Sequence, residues 1–179
     1  LTTITVPARW RFDLYGQLLL ATNGAGPILS KPFSGAWGNL AGSPPIASII
    51  QACDYSLFLI ETNSNVWWSS LSATIWTPAI ATQTATDALD ETPGNITAAH
   101  DLRGAMTLYK RKSLHYSNFT GPPFFWDFNK VSDQIGAPCQ EAVANVGDAH
   151  YFPGPDDFYM FDGQNIQRIQ NNLKEWFFA

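Results

Sequence analysis

Four times along the chain an alternating strand runs into a turn carrying Gly or Asp and returns as a strand rich in apolar and aromatic residues. The turns centre on Tyr15-Gly16, Cys53-Asp54, Arg103-Gly104 and Gly147-Asp148. They lie roughly 40 to 50 residues apart, the interval at which self-similarity marks propellers and solenoids. The returning strands are predicted at 17–22, 55–62, 105–110 and 149–152, and the pattern is clearest in the second half. A repeat of this kind is ordinarily a scaffold, which turns the functional reading away from enzyme chemistry.

Each copy has room for four short antiparallel strands, the strand count of a β-propeller blade. The expectation is therefore an all-β fold: a β-propeller-like array of about four antiparallel blades, part of a larger propeller, with a β-sandwich as the alternative. Residues 1–179 read as a single domain or fragment, with repeat units at roughly 4–43, 44–93, 94–135 and 136–170. The chain has no initiator Met and stops on Trp176-Phe177-Phe178, so it reads as a piece of a longer polypeptide.

Several local expectations follow. Leu18, Leu19 and Leu20 read as a strand buried on both faces. Residues 81–94, rich in Thr, Ala and Asp, read as a loop between repeats with at most a short helix. Phe124, Phe125, Trp126 and Phe128 could anchor an outer strand. Asp162-Gly163 is the strongest two-residue hairpin signal in the chain. Ile166, Ile169, Leu173 and Trp176 fall at helical spacing, so the last segment is read as strand passing into a short C-terminal helix.

Composition narrows the function classes. Hydrophobic residues make up 45 % of the 179 and charged residues only 14 %, which excludes a disordered chain. The net charge of −5 opposes any chain-wide attraction to nucleic acid or an anionic membrane. No apolar run reaches the ~18 residues of a membrane-spanning helix. Cys53 and Cys139 lack metal-ligand spacing and read as two buried thiols. The sequons at Asn95 and Asn118 read as chance matches.

Little in the chain suggests catalysis. His100, His115 and His150 fall near strand ends without a second ligand at short spacing, and read as surface or hairpin positions. Asp156, Asp157 and Asp162 form the densest acidic patch but fit no calcium loop and read as turn residues. Ser69 to Trp76 carries the Ser and Trp of a sialidase-type turn without its Asp and Gly. Trp67 or Trp68, if exposed, could stack on a sugar ring. No catalytic, cofactor-binding or metal-binding residue is assigned, and no cofactor is implied. The dense basic cluster Lys110-Arg111-Lys112 reads either as a solvated hairpin tip or as a contact to an acidic neighbouring subunit or a nucleic-acid backbone.

The wording of the last two copies adds a resemblance. Arg103-Gly104, Tyr109 to Ser113, Gly121-Pro122-Pro123, Val131-Ser132, Ile135-Gly136, Val146-Gly147-Asp148, Tyr151-Phe152 and Asp157 to Gly163 resemble the tail-nozzle proteins of short-tailed bacteriophages. These overlap with the packaged-DNA-stabilisation or tail tubular proteins. The resemblance spans about 44–169 and rests on turn and strand signatures, so it specifies a blade type better than a role. It implies a structural, non-enzymatic virion component with copies of itself in a ring around the DNA exit channel, six in the family it resembles. Neighbouring adaptor, fibre or needle proteins would be its partners, and genomic DNA would pass without sequence recognition. It would assemble in the host cytoplasm. The alternative is a carbohydrate- or receptor-binding propeller module.

Overall fold

Four four-stranded antiparallel sheets follow one another along the chain, one per repeat. The structure is a computed structural model that describes residues 9–178. The first sheet holds β1 (Arg11–Tyr15), β2 (Leu18–Thr22), β3 (Leu29–Pro32) and β4 (Gly38–Asn39). The second holds β5 (Ile49–Cys53), β6 (Ser56–Ile60), β7 (Asn65–Trp68) and β8 (Ala85–Ala88). The third is built from β9 (Ile96–Leu102), β10 (Ala105–Lys110) and β11 (Leu114–Ser117). A separate hairpin of β12 (Phe119–Gly121) and β13 (Phe125–Trp126) is inserted before its outer strand, β14 (Asn129–Ser132). The fourth holds β15 (Ala144–Val146), β16 (Ala149–Pro153), β17 (Phe158–Phe161) and β18 (Ile166–Arg168), and a four-residue helix α1 (Lys174–Phe177) follows it. The chain forms two compact units, Leu1–Ala88 and Leu89–Ala179, each containing two of the sheets.

The repeated turn has one backbone cause. In every sheet the first two strands are joined by two loop residues: Tyr15 pairs with Leu18, Cys53 with Ser56, Leu102 with Ala105 and Val146 with Ala149. The first loop residue has positive φ each time, at Gly16 (57°), Asp54 (47°), Arg103 (55°) and Gly147 (64°). Such turns match the right-handed twist of the paired strands, and Gly and Asp enter this region at low cost. At Arg103-Gly104 both loop residues have positive φ, and the Asp101 carboxylate accepts from the Gly104 N–H at 3.1 Å.

Four expectations are corrected. The fourth strand of the second sheet, β8, lies inside the segment read as a loop. Its Ala-Thr-Asp-Ala sequence has no strong apolar side chain, so only its backbone pairing to β7 reveals it. The outer strand of the third sheet is the polar β14, whereas Phe125 and Trp126 are buried in the inserted hairpin. Leu19 is exposed while Leu20 is fully buried, so β2 alternates at that point. The Asp162-Gly163 turn is a four-residue loop, because Phe161 pairs with Ile166 and the Asp162 carboxylate accepts from the N–H groups of Gln164 and Asn165. The start of the first repeat unit, placed at residue 4, falls outside the described residues. The succession of strand and short helix at the C-terminus matches β18 and α1.

Within each unit the core lies between the two sheets. In the first unit Leu20, Ile28 and Leu40 pack with Ala47, Ile50, Leu57, Leu59 and Trp76. In the second, Ala98, Leu102, Tyr109 and Leu114 pack with Val143, Phe152, Tyr159 and Phe161. The edge of the first core includes a tight backbone approach at Gly42. Its φ is +80°, and a Cβ there would stand 1.9 Å from the Thr74 carbonyl oxygen. Gly42→Ala should therefore cost about 3 kcal/mol or more. Gly26→Ala, which meets nothing within 4 Å, should stay within about 1 kcal/mol. Urea unfolding of the two variants against the wild type checks the contrast.

Candidate interaction surface

The basic cluster divides at the end of β10. Lys110 is only 2 % exposed. Its ammonium donates to the carbonyls of Leu89 and Thr92, the latter at 2.6 Å. Burial lowers its pKa, while Asp90 and Glu91 act to raise it. Strand alternation does not predict this, because β10 is buried at all six positions. Lys110 therefore belongs to the interior and not to an exposed basic patch. Arg111 and Lys112 are exposed in the turn that follows.

Those two side chains border a cleft of about 380 Å³ whose remaining walls are Gly136, Pro138, the Pro153-Gly154-Pro155 turn, Phe177 and Phe178. The first wall is held to the hairpin end by the Ala137 N–H, which donates to the Lys110 carbonyl at 3.0 Å. The Gly154 N–H closes its own turn on the Asp157 carbonyl at 2.8 Å. The aromatic wall is fixed by packing: the Phe158, Phe177 and Phe178 rings lie 4.9 to 5.3 Å apart. An ion pair of 2.9 Å between Lys174 and Asp157 ties α1 to the fourth sheet.

The histidines are not surface residues as expected. His150 and His115 are fully buried and His100 is half-buried. His150 Nε2 donates to the Asp101 carbonyl at 2.9 Å, so Nδ1 is the acceptor for the Tyr109 hydroxyl at 2.8 Å. Burial lowers the His150 pKa to about 4, with the neighbouring His100 adding in the same direction. His100 in turn donates through Nε2 to the Gln140 carbonyl at 2.9 Å. These side chains join the third sheet to the fourth.

His115 stands in a second polar string. Its Nε2 is 3.0 Å from the Thr92 hydroxyl, which is 2.9 Å from that of Ser113. The Glu91 carboxylate lies 3.2 Å from Nδ1. The order of acid, imidazole and hydroxyl resembles that of a nucleophilic triad. Both hydroxyl-bearing side chains are buried, however, so no substrate carbonyl can approach them. The string links the 89–92 segment to β11.

The acidic residues are likewise engaged within the fourth sheet and its flank. Asp156 accepts from the Tyr159 hydroxyl at 2.6 Å and pairs with Arg168 at 2.9 Å. Among the described residues no three His, Cys, Asp or Glu side chains converge as a metal site would require. Cys53 is buried and Cys139 only partly so. Trp68 is buried and Trp67 half-buried, so neither offers an open stacking face.

In the first unit a cleft of about 540 Å³ lies beside the first two repeat turns. Gln17, Asp54, Tyr55 and Ser72 contribute to its lining, and Tyr55 is more than half exposed. Sequence reasoning missed this juxtaposition, although the aligned turns that create it were visible.

No protein-family model matches the chain, and no curated protein is significantly similar to it.

Two measurements test these assignments. Lys110→Ala should destabilise the protein by about 2–4 kcal/mol, since it deprives two buried carbonyls of a charged donor. Lys112→Ala should change stability by less than about 0.5 kcal/mol. Denaturant titrations distinguish the two. His150 gives a pH dependence of defined sign. Its folded pKa of about 4 lies below the ~6.5 of an unfolded histidine, so the unfolded chain binds the proton more readily. The stability it contributes is present above pH ~6.5 and is lost as pH falls towards 4, by up to about 3 kcal/mol. His150→Gln should lower stability at pH 7 and make the decline between pH 6.5 and 4 shallower.

Proposed function

We propose that the chain is a non-enzymatic structural component of a bacteriophage tail, a β-propeller-type segment of the distal nozzle. It acts with further copies of itself in a ring and with neighbouring tail proteins. It closes or lines the exit path, and genomic DNA passes it without sequence recognition. Its location on this reading is the virion.

The observation that carries the reading is the repeated unit itself. Each repeat forms a four-stranded antiparallel sheet that opens with the same turn, which is how a propeller blade is built. In each unit, moreover, the first strand of one sheet lies against the first strand of the next: β1 against β5, and β9 against β15. Blades arranged around a channel bring their first strands together in this way. The tail assignment is supported by the resemblance of the third and fourth repeats, whose turn residues are those that shape these sheets.

Phe12, Leu14 and Leu19 on the first sheet are exposed. Their neighbours Arg11, Asp13, Tyr15 and Leu20 instead face the second sheet. An outward apolar face of this kind suits an array that continues with another blade.

A lectin-like role is the second reading. It is favoured by the Tyr55 cleft, where an exposed aromatic ring stands beside Gln17, Asp54 and Ser72. An aromatic face with amide, carboxylate and hydroxyl groups is the equipment with which a protein holds a sugar.

Mass spectrometry of purified virions separates the two readings. The tail reading requires the full-length protein in the particles at a stoichiometry that fits a ring, and its absence sinks the proposal. A glycan array that shows saturable binding to one sugar, abolished by Tyr55→Ala, would move the assignment to the lectin.

A further inference from the structure

We propose that the cleft between Arg111, Lys112 and the Phe177-Phe178 wall is a docking site for a short acidic peptide segment of another protein, anchored by one apolar or aromatic side chain. The proposal goes beyond the tail reading and does not depend on it.

The first argument is charge. Most cations of this unit are already engaged: Lys110 with two carbonyls, Arg103 with the Asp162 carbonyl, Arg168 with Asp156 and Lys174 with Asp157. Arg111 and Lys112 have no such partner among the described residues. No Asp or Glu lines the cleft they border. An acidic chain thus holds two uncommitted cations side by side against an apolar recess. The guanidinium can grip a carboxylate with two parallel N–H groups, and the ammonium supplies a second point charge.

The second argument is the composition of the walls. Three prolines offer no backbone N–H, and the two phenylalanines offer none from their side chains. Polar recognition by side chains therefore falls to Arg111 and Lys112, while the recess receives an apolar group. A volume of about 380 Å³ takes a side chain and the adjoining backbone. The walls are also built to persist, since a Cβ at Gly136 would lie 2.0 Å from the Lys110 carbonyl oxygen and one at Gly154 2.6 Å from the Tyr159 ring. The loops can pack this closely only because glycine stands at both positions.

A nucleic-acid strand suits the surface less well. It carries a charge at every phosphate and needs a track of cations. Residues 89–179 carry eleven Asp and Glu against seven Lys and Arg, and the two cations at the cleft make no track. A peptide with a few carboxylates near its anchor needs only a local pair.

The test uses fluorescence anisotropy with the full chain and a labelled peptide of alternating Glu and Phe. Controls are the same peptide with Lys in place of Glu and a single-stranded oligodeoxythymidine. Saturable binding of the Glu peptide is expected, weakened about tenfold or more by Arg111→Glu with Lys112→Glu. Phe177→Ala should weaken it too, and the Lys peptide should not bind. Arg111→Gln with Lys112→Gln removes the charges without introducing repulsion, and near-ultraviolet circular dichroism confirms that each variant is folded. Absence of saturable binding, or binding indifferent to both charge variants, overturns the proposal. So does tighter binding of the oligonucleotide through the same two residues.

Discussion

The seam between successive sheets is the feature on which the rest of each unit depends. Strands of two to seven residues make sheets too small to stand alone in water. Each sheet must bury one face, and the other sheet of its unit supplies the cover. The seam also resolves a second problem, since the first strand of each sheet is an edge with unpaired N–H and C=O groups. On β5, Asp13 accepts from the Ala52 N–H, and Arg11 donates to the Ser48 carbonyl just before the strand at 2.7 Å. On β9, the Gln140 carboxamide accepts from the Ala99 N–H at 2.7 Å and donates to the Ala99 carbonyl at 2.8 Å. A side chain here does what a neighbouring strand would do. Asn145 and His150 both donate to the Asp101 carbonyl further along the same edge.

This arrangement explains where the polar residues went. His150, Tyr109, Gln140 and Asn145 look like the raw material of a site when read one by one. In the fold they serve an edge that would otherwise be left open. The Glu91, His115 and Thr92 string similarly fastens the segment that enters the third sheet. Its hydroxyls are enclosed. These side chains are thus committed to cohesion, while the apolar face of the first sheet, the Tyr55 cleft and the Arg111-Lys112 cleft face outward.

How much of this was legible follows from the physics of each element. The four turns could be read directly because a positive φ restricts the residues that fit, and Gly or Asp betrays it. The strands after those turns could be read because they are buried and apolar. β8 and β14 could not, since an outer strand needs only backbone pairing on one side and tolerates Thr, Asp, Asn and Lys. Leu19 misled because three consecutive leucines conceal an alternation that only the partner strands reveal. Lys110 misled for a related reason. Three consecutive cations look alike on paper, but the first sits at the end of a strand buried throughout, with two carbonyls of the 89–92 segment waiting for a donor. The cleft itself needed loops 111–112, 136–138 and 153–155 and the end of α1 to meet, and no local pattern encodes that.

Such a seam has a consequence for the outer face of a sheet. A sheet covered by its successor on one face still has another face to account for, and the first sheet here presents Phe12, Leu14 and Leu19 on that side. Val146 and Tyr151 are exposed on the fourth sheet, across the strands from the face that carries His150, Phe152, Tyr159 and Phe161. Exposed apolar sheet faces are costly in water. They cease to be costly when another sheet of the same kind is laid against each, and that sheet would bring its own edge-capping side chains with it. The seam that holds each unit together is therefore also a rule for extension. The same physics that makes two sheets a unit applies to any further sheet laid against an exposed apolar face.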